Sequence, residues 1–138
     1  MTAHLHLRLQ PDPGGLGVMA DAVERFAAQE GLEPAAAVRL TTALDEILTN
    51  VVSHGGVPGD SVIDLRLSRH DGVVTAVVED RGPAFDPLAV ATAPDLDAAV
   101  AERRIGGLGL HIVLGLVEEI AYVRTRQRRN RLTLKLRA

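Results

Sequence analysis

Arg104-Ile105-Gly106-Gly107-Leu108-Gly109-Leu110-His111-Ile112-Val113 is the stretch on which the reading of this chain turns. Three of the four residues from Gly106 to Gly109 are glycine, and Leu110, Ile112, Val113, Leu114, Leu116 and Val117 carry on as an apolar, helix-compatible segment. Glycine lets the backbone turn through positive φ and lets its amides approach a ligand without a Cβ in the way. A helix that starts there points its free N–H groups and the positive end of its dipole back at the loop. Together these features describe an anion site, best suited to phosphate. A flexible turn ahead of a buried helix is the other reading, since short glycine patterns arise by chance.

The residues around this stretch decide which fold carries it. Residues 88–105 are rich in Ala and Asp and are interrupted by Pro94, with a short helix expected over Asp95 to Arg103. They read as a mobile cover from which Arg103 or Arg104 can reach a phosphate, although solvated arginines are the more frequent outcome. The glycines thus follow a loop and not a strand, which counts against a doubly wound dinucleotide fold.

Before the cover, Val62 to Ser68 alternates, with Ile63, Leu65 and Leu67 inward; Asp71-Gly72 signals a hairpin turn, and Val73 to Asp80 alternates again. Val74, Ala76 and Val78 form one face of that strand, Thr75, Val77 and Glu79 the other, and Asp80 ends the apolar row. An inward carboxylate needs partners. A backbone donor in the loop Arg81-Gly82-Pro83-Ala84-Phe85-Asp86-Pro87 would supply one, and a ligand amine is the functional alternative.

Further upstream, Pro34 opens a helix whose buried stripe is Leu40, Leu44, Ile47, Leu48 and Val51. Glu46, Asn50 and His54 recur every four residues and stack beside that stripe, either as a cleft wall or as an ordinary polar flank. Another helix is expected from about Leu16 to Gln29 with Val18, Ala22, Val23 and Phe26 inward, stopped by Gly31. Leu5, Leu7 and Leu9 alternate as a first strand; Glu119 to Arg126 and Arg131 to Arg137 close the chain as a hairpin with a basic, solvated turn. The simplest assembly is α/β: a two-layer sandwich, with a mixed five-stranded sheet covered by three main helices on one face.

Composition narrows the function. The 138 residues suit one domain, with no repeat and no internal boundary. Two Phe, one Tyr and no Trp argue against base-stacking platforms, and the net charge of −3 gives no general attraction to nucleic acid or anionic membranes. No cysteine is present, which excludes disulfides and thiolate metal sites and is compatible with a reducing cytoplasm. No signal peptide and no apolar run of bilayer length is visible, so a soluble, cytoplasmic protein is expected.

Three separated stretches fit one pattern. Leu44-Asp45-Glu46-Ile47-Leu48-Thr49-Asn50-Val51-Val52-Ser53-His54 resembles the Asn-bearing helix of the ATPase superfamily that contains gyrase, the heat-shock chaperone, MutL and histidine kinases. Val78 to Pro87 resembles its first glycine box and Arg104 to Val113 its second. The length, the Glu-x-x-x-Asn-x-x-x-His spacing and Phe85-Asp86-Pro87 are most similar to the stand-alone anti-sigma-factor serine/threonine kinases.

The resemblance implies a Bergerat-type, histidine-kinase-like ATP-binding fold over residues 1–138, with ATP and Mg²⁺ as cofactors. It makes Glu46 the general base and Asn50 the Mg²⁺ ligand. Asp80 would accept from the adenine amine, Gly82 would leave room for the base, and Phe85 and Arg104 would join the nucleotide site. Gly106, Gly107 and Gly109, with the amides of Leu108 and Leu110, would cradle the phosphates. The implied partners are an anti-sigma-factor antagonist as phosphoacceptor, a sigma factor as a sequestered second partner, and a second copy in a homodimer.

The alternative is a nucleotide-gated binding module with little or no kinase activity. A detached histidine-kinase domain is weakened because no phosphoacceptor helix pair fits in this length, and gyrase-like or MutL-like ATPases because no second domain is present. Where the resembled family often has Gly-Thr before its last strand, with the threonine supporting adenine recognition, this chain has Asn130-Arg131, so the resemblance leaves the adenine contact on that side unassigned. The role of His54 is not assigned by the resemblance.

Overall fold

The computed structural model describes residues 3–92 and 107–138. In chain order they form β1 (Ala3–Leu9), α1 (Pro13–Glu30), α2 (Pro34–His54), β2 (Ile63–His70), β3 (Val73–Asp80), α3 (Pro87–Thr92), α4 (Gly107–Leu116), β4 (Glu119–Arg124) and β5 (Asn130–Arg137). The strands make one sheet in the order β1-β2-β3-β5-β4, and every neighbouring pair is antiparallel. The five strands and two layers expected from the sequence are present, but the mixed sheet is corrected to an antiparallel one. Strands β3 and β4 do run in the same direction, as a helical crossover produces. Strand β5 lies between them and opposes both.

Period-2 alternation sets which face is covered. Leu7, Leu65, Val78, Leu132 and Tyr122 are successive partners across the sheet, as are Leu5, Leu67, Ala76, Leu134 and Ile120. These rows belong to one apolar cluster with Met19, Val23 and Phe26 of α1, Leu40, Leu44, Ile47 and Leu48 of α2, and Val113 of α4. The four α2 side chains are 0–1% exposed, and such burial contributes about 1.5–3 kcal/mol per side chain. On the other face His4, His6, Arg8 and Arg66 are exposed, so the helices cover one side only.

Helix α1 begins three residues earlier than its apolar periodicity suggests. Asp12 is its N-cap, with the carboxylate accepting from Gly15 N–H at 3.1 Å, and Pro13 occupies the first turn. The inward position expected of Val18 is taken by Met19: Val18 is 50% exposed and Met19 fully buried. Gly31 ends the helix at φ +65°, a left-handed conformation that favours glycine. The β2–β3 turn places Asp71 and Gly72 at φ 50° and 74°, the two positive values of a type I′ hairpin. The helix expected over Asp95 to Arg103 lies outside the described residues, and the first part of the expected cover is the short helix α3. No helix among the described residues is long and apolar enough to cross a membrane.

Candidate nucleotide site

The site begins on α2, where 3.6-residue periodicity sets Glu46, Asn50 and His54 on the margin of the buried stripe. Asn50 is 3% exposed and Glu46 half-buried. The Asn50 amide nitrogen donates to the Glu46 carbonyl at 2.8 Å and to Glu46 Oε1 at 3.0 Å. Among the described residues nothing donates to Asn50 Oδ1, so the oxygen of this otherwise buried side chain is left open to the site. His54 is exposed in the last turn of the helix.

A second wall comes from the end of β3. Asp80 is 4% exposed and continues the inward row, as its place in the alternation requires. Its Oδ1 accepts from Gly82 N–H at 2.8 Å and from the Asn130 amide at 2.9 Å. Its Oδ2 accepts nothing among the described residues. The structural and the ligand-binding readings of Asp80 therefore apply to different oxygens of one carboxylate.

Gly82 joins the two walls. A Cβ there would lie 2.7 Å from the Gly55 carbonyl oxygen, 3.1 Å from Asp80 Oδ1 and 3.3 Å from Val57 Cγ2. Close approach of the loop to the end of α2 thus already requires glycine, whatever space a base needs. Phe85 is half-buried, and its N–H donates to Asn130 Oδ1 at 3.1 Å. Asp86 Oδ1 accepts from Leu88 N–H at 2.8 Å and caps α3.

Gly107, Leu108, Gly109 and Leu110 are the first four residues of α4, which packs against α2 and α3. The first four N–H groups of a helix have no partner within it. Arg104 and Gly106 lie outside the described residues. No group of three or more His, Asp or Glu that could hold a metal occurs among the described residues. A hard cation beside Asn50 would therefore complete its shell with phosphate oxygens and water, as Mg²⁺ commonly does.

Sequence reasoning assigned no role to two polar residues that prove to be buried. Asn130, the first residue of β5, pairs with Asp80 in the ladder and is 4% exposed. Glu79 points to the uncovered face yet is also 4% exposed, because Arg131 Nε binds its Oε1 at 2.5 Å and Arg129 reaches Oε2 at 3.5 Å. Arg124 donates to the Gly82 carbonyl at 2.8 Å. Three arginines expected to be solvated are thus engaged with the end of β3 and its loop. Their clustering in the sequence was the available signal.

Comparison with known proteins gives a consistent picture. The family model of the histidine kinase-like ATPase domain matches residues 9–136. The serine/threonine-protein kinase BtrW of Bordetella bronchiseptica is 35% identical over 96 residues, which are 69% of this chain and 66% of BtrW. The structure of the RsbU and RsbW domains of Rv1364c from Mycobacterium tuberculosis matches with a TM-score of 0.71 and 21% identity, over 98% of this chain and 32% of that one. The SiaB–SiaC complex from Pseudomonas aeruginosa gives 0.70 and 15%, over 96% of this chain and 88% of the other. These two structures share its fold.

Proposed function

Because the chain belongs to the histidine kinase-like ATPase domain family, a fold that implies ATP binding, we propose that it is an ATP-dependent protein serine/threonine kinase of the anti-sigma-factor type. The observation that carries this reading is the Glu46–Asn50 pair, one helical turn apart: the Asn50 amide nitrogen donates to the Glu46 carboxylate, and the amide oxygen beside it is left open. The name of BtrW, a serine/threonine-protein kinase, supports it.

In this reading Asp80 Oδ2 accepts from the adenine amine and Asn50 Oδ1 holds Mg²⁺. The amides of Gly107, Leu108, Gly109 and Leu110 bind phosphate oxygens, with Gly106 and Arg104 beside them, and Phe85 borders the base. ATP supplies the transferable γ-phosphoryl group and Mg²⁺ the neutralisation of its charge. Glu46 takes the proton from a serine or threonine hydroxyl as that oxygen bonds to the γ-phosphorus and the bond to the β–γ bridging oxygen breaks. The protein substrate is a small anti-sigma-factor antagonist. Sequestration of a sigma factor, a homodimeric state and a cytoplasmic location belong to the same reading.

Calorimetric titration with ATP, with and without Mg²⁺, tests the site. The wild type should bind with a Mg²⁺-dependent gain, and Asn50→Ala should lose that gain. Binding that ignores Mg²⁺ in the wild type removes Asn50 from the metal site. A pull-down from native lysate in ATP and in ADP tests the partner: a sigma factor or an antagonist domain is expected, and DNA or a membrane receptor counts against the reading.

A further inference from the structure

Asn130 is the hub of the far side of the site, and nothing in the proposed chemistry uses it. It sits opposite Asp80 in the β3–β5 ladder. Its amide nitrogen donates to Asp80 Oδ1 at 2.9 Å and to the Pro83 carbonyl at 2.8 Å, with the Gly82 carbonyl at 3.4 Å. Its amide oxygen accepts from Phe85 N–H at 3.1 Å and from the Tyr122 hydroxyl at 2.5 Å. An amide side chain has two N–H donors and two acceptor lone pairs, and all four are used.

Two consequences follow from this saturation. The amide has one orientation, because a flip would set its oxygen against Asp80 Oδ1 and the Pro83 carbonyl and its nitrogen against the Phe85 N–H. Asn130 also has nothing left with which to read a base directly. What it controls is Asp80. With Gly82 N–H and Asn130 both on Oδ1, that oxygen is filled, and Oδ2 alone remains open. A carboxylate with both oxygens open suits a two-donor edge such as the N1–H and 2-amino group of guanine. A carboxylate with one open oxygen suits a single amine such as the 6-amino group of adenine.

We infer that Asn130 is a positioning residue that determines nucleobase specificity: it occupies one oxygen of Asp80, presents the other alone, and so selects a 6-aminopurine over guanine. Tyr122 fixes Asn130 from β4, and Arg124, also on β4, holds the Gly82 carbonyl at the base of the same loop. The inference rests on the adenine reading of Asp80 proposed above and adds the cause of its selectivity.

The test is a set of calorimetric titrations on the full chain in Mg²⁺ buffer with ATP, purine riboside triphosphate (which lacks the 6-amino group) and GTP. Wild type, Asn130→Ala and Tyr122→Phe are compared, with circular dichroism confirming the fold. Wild type is expected to bind ATP roughly tenfold or more tightly than the amine-free analogue. In Asn130→Ala that ratio falls toward one, and the preference for ATP over GTP falls with it. Tyr122→Phe shifts both ratios the same way by about threefold, and it carries the test should Asn130→Ala not fold.

Equal weakening of all three nucleotides, with the ratios intact, means that Asn130 only braces the loop and overturns the inference. A wild type that binds ATP no better than the amine-free analogue overturns the adenine reading itself, and the inference with it.

Discussion

Asn50 holds the carboxylate of Glu46 with a 3.0 Å hydrogen bond from the same amide group whose oxygen is left open to the site. A candidate base and a candidate metal ligand are thereby oriented by one contact. Glu46→Gln preserves shape and can still accept from Asn50, but it cannot take a proton. ATP affinity should change little, while phosphoryl transfer should fall by roughly 10²–10⁴-fold, the usual worth of a general base. Single-turnover rates beside a binding titration measure both.

Asp80→Ala should weaken ATP binding at least about tenfold, since a hydrogen bond to a charged group is lost. It also leaves Gly82 N–H and one donor of Asn130 without their acceptor in a buried place. Stability should fall by about 1–3 kcal/mol for that reason alone. Calorimetry and urea unfolding separate the two effects.

Gly82→Ala should destabilise the fold by about 1–3 kcal/mol, the range for overpacking, because its Cβ would meet the Gly55 carbonyl at 2.7 Å. Gly17, inside α1, has nothing within 4 Å of where a methyl group would sit and serves as the control. Gly17→Ala should stabilise by roughly 0.5–1 kcal/mol through helix propensity. Denaturant midpoints decide, and equal shifts in both variants would contradict the Gly55 contact.

The Glu79 cluster should respond asymmetrically. Arg131→Leu leaves a carboxylate that is 5% exposed with Arg129 alone, at 3.5 Å, and should cost about 1–3 kcal/mol. Glu79→Leu leaves arginine side chains that are 32% and 46% exposed and can rehydrate, so the cost should stay under about 1 kcal/mol. Urea unfolding of the two variants checks the order.

What was legible in the sequence followed from local periodicity. Alternation over Val74, Ala76 and Val78 places Asp80 inward, and a four-residue step places Asn50 beside the stripe of Leu44, Ile47 and Leu48. Met19 rather than Val18 faces the core because Met19, Ala22, Val23 and Phe26 are spaced i, i+3, i+4 and i+7, whereas Val18 lies off that stripe. The role of Asn130 was out of reach for another reason. Its partners Asp80, Pro83 and Phe85 lie 45–50 residues away, and only the β3–β5 register brings them together. That register depends on β5 inserting between β3 and β4, which no local pattern specifies. Glu79 reads as solvated until the same register sets Arg131 opposite it.

The most direct measurement is single-turnover transfer of labelled γ-phosphate from Mg²⁺-ATP to an antagonist domain that the chain demonstrably binds. The expected result is a phosphoserine or phosphothreonine on that partner, formed by the wild type and by Gly17→Ala and nearly abolished by Glu46→Gln. Binding of ATP and partner with no phosphate transferred by the wild type would contradict the kinase reading and leave a nucleotide-gated binding module in its place.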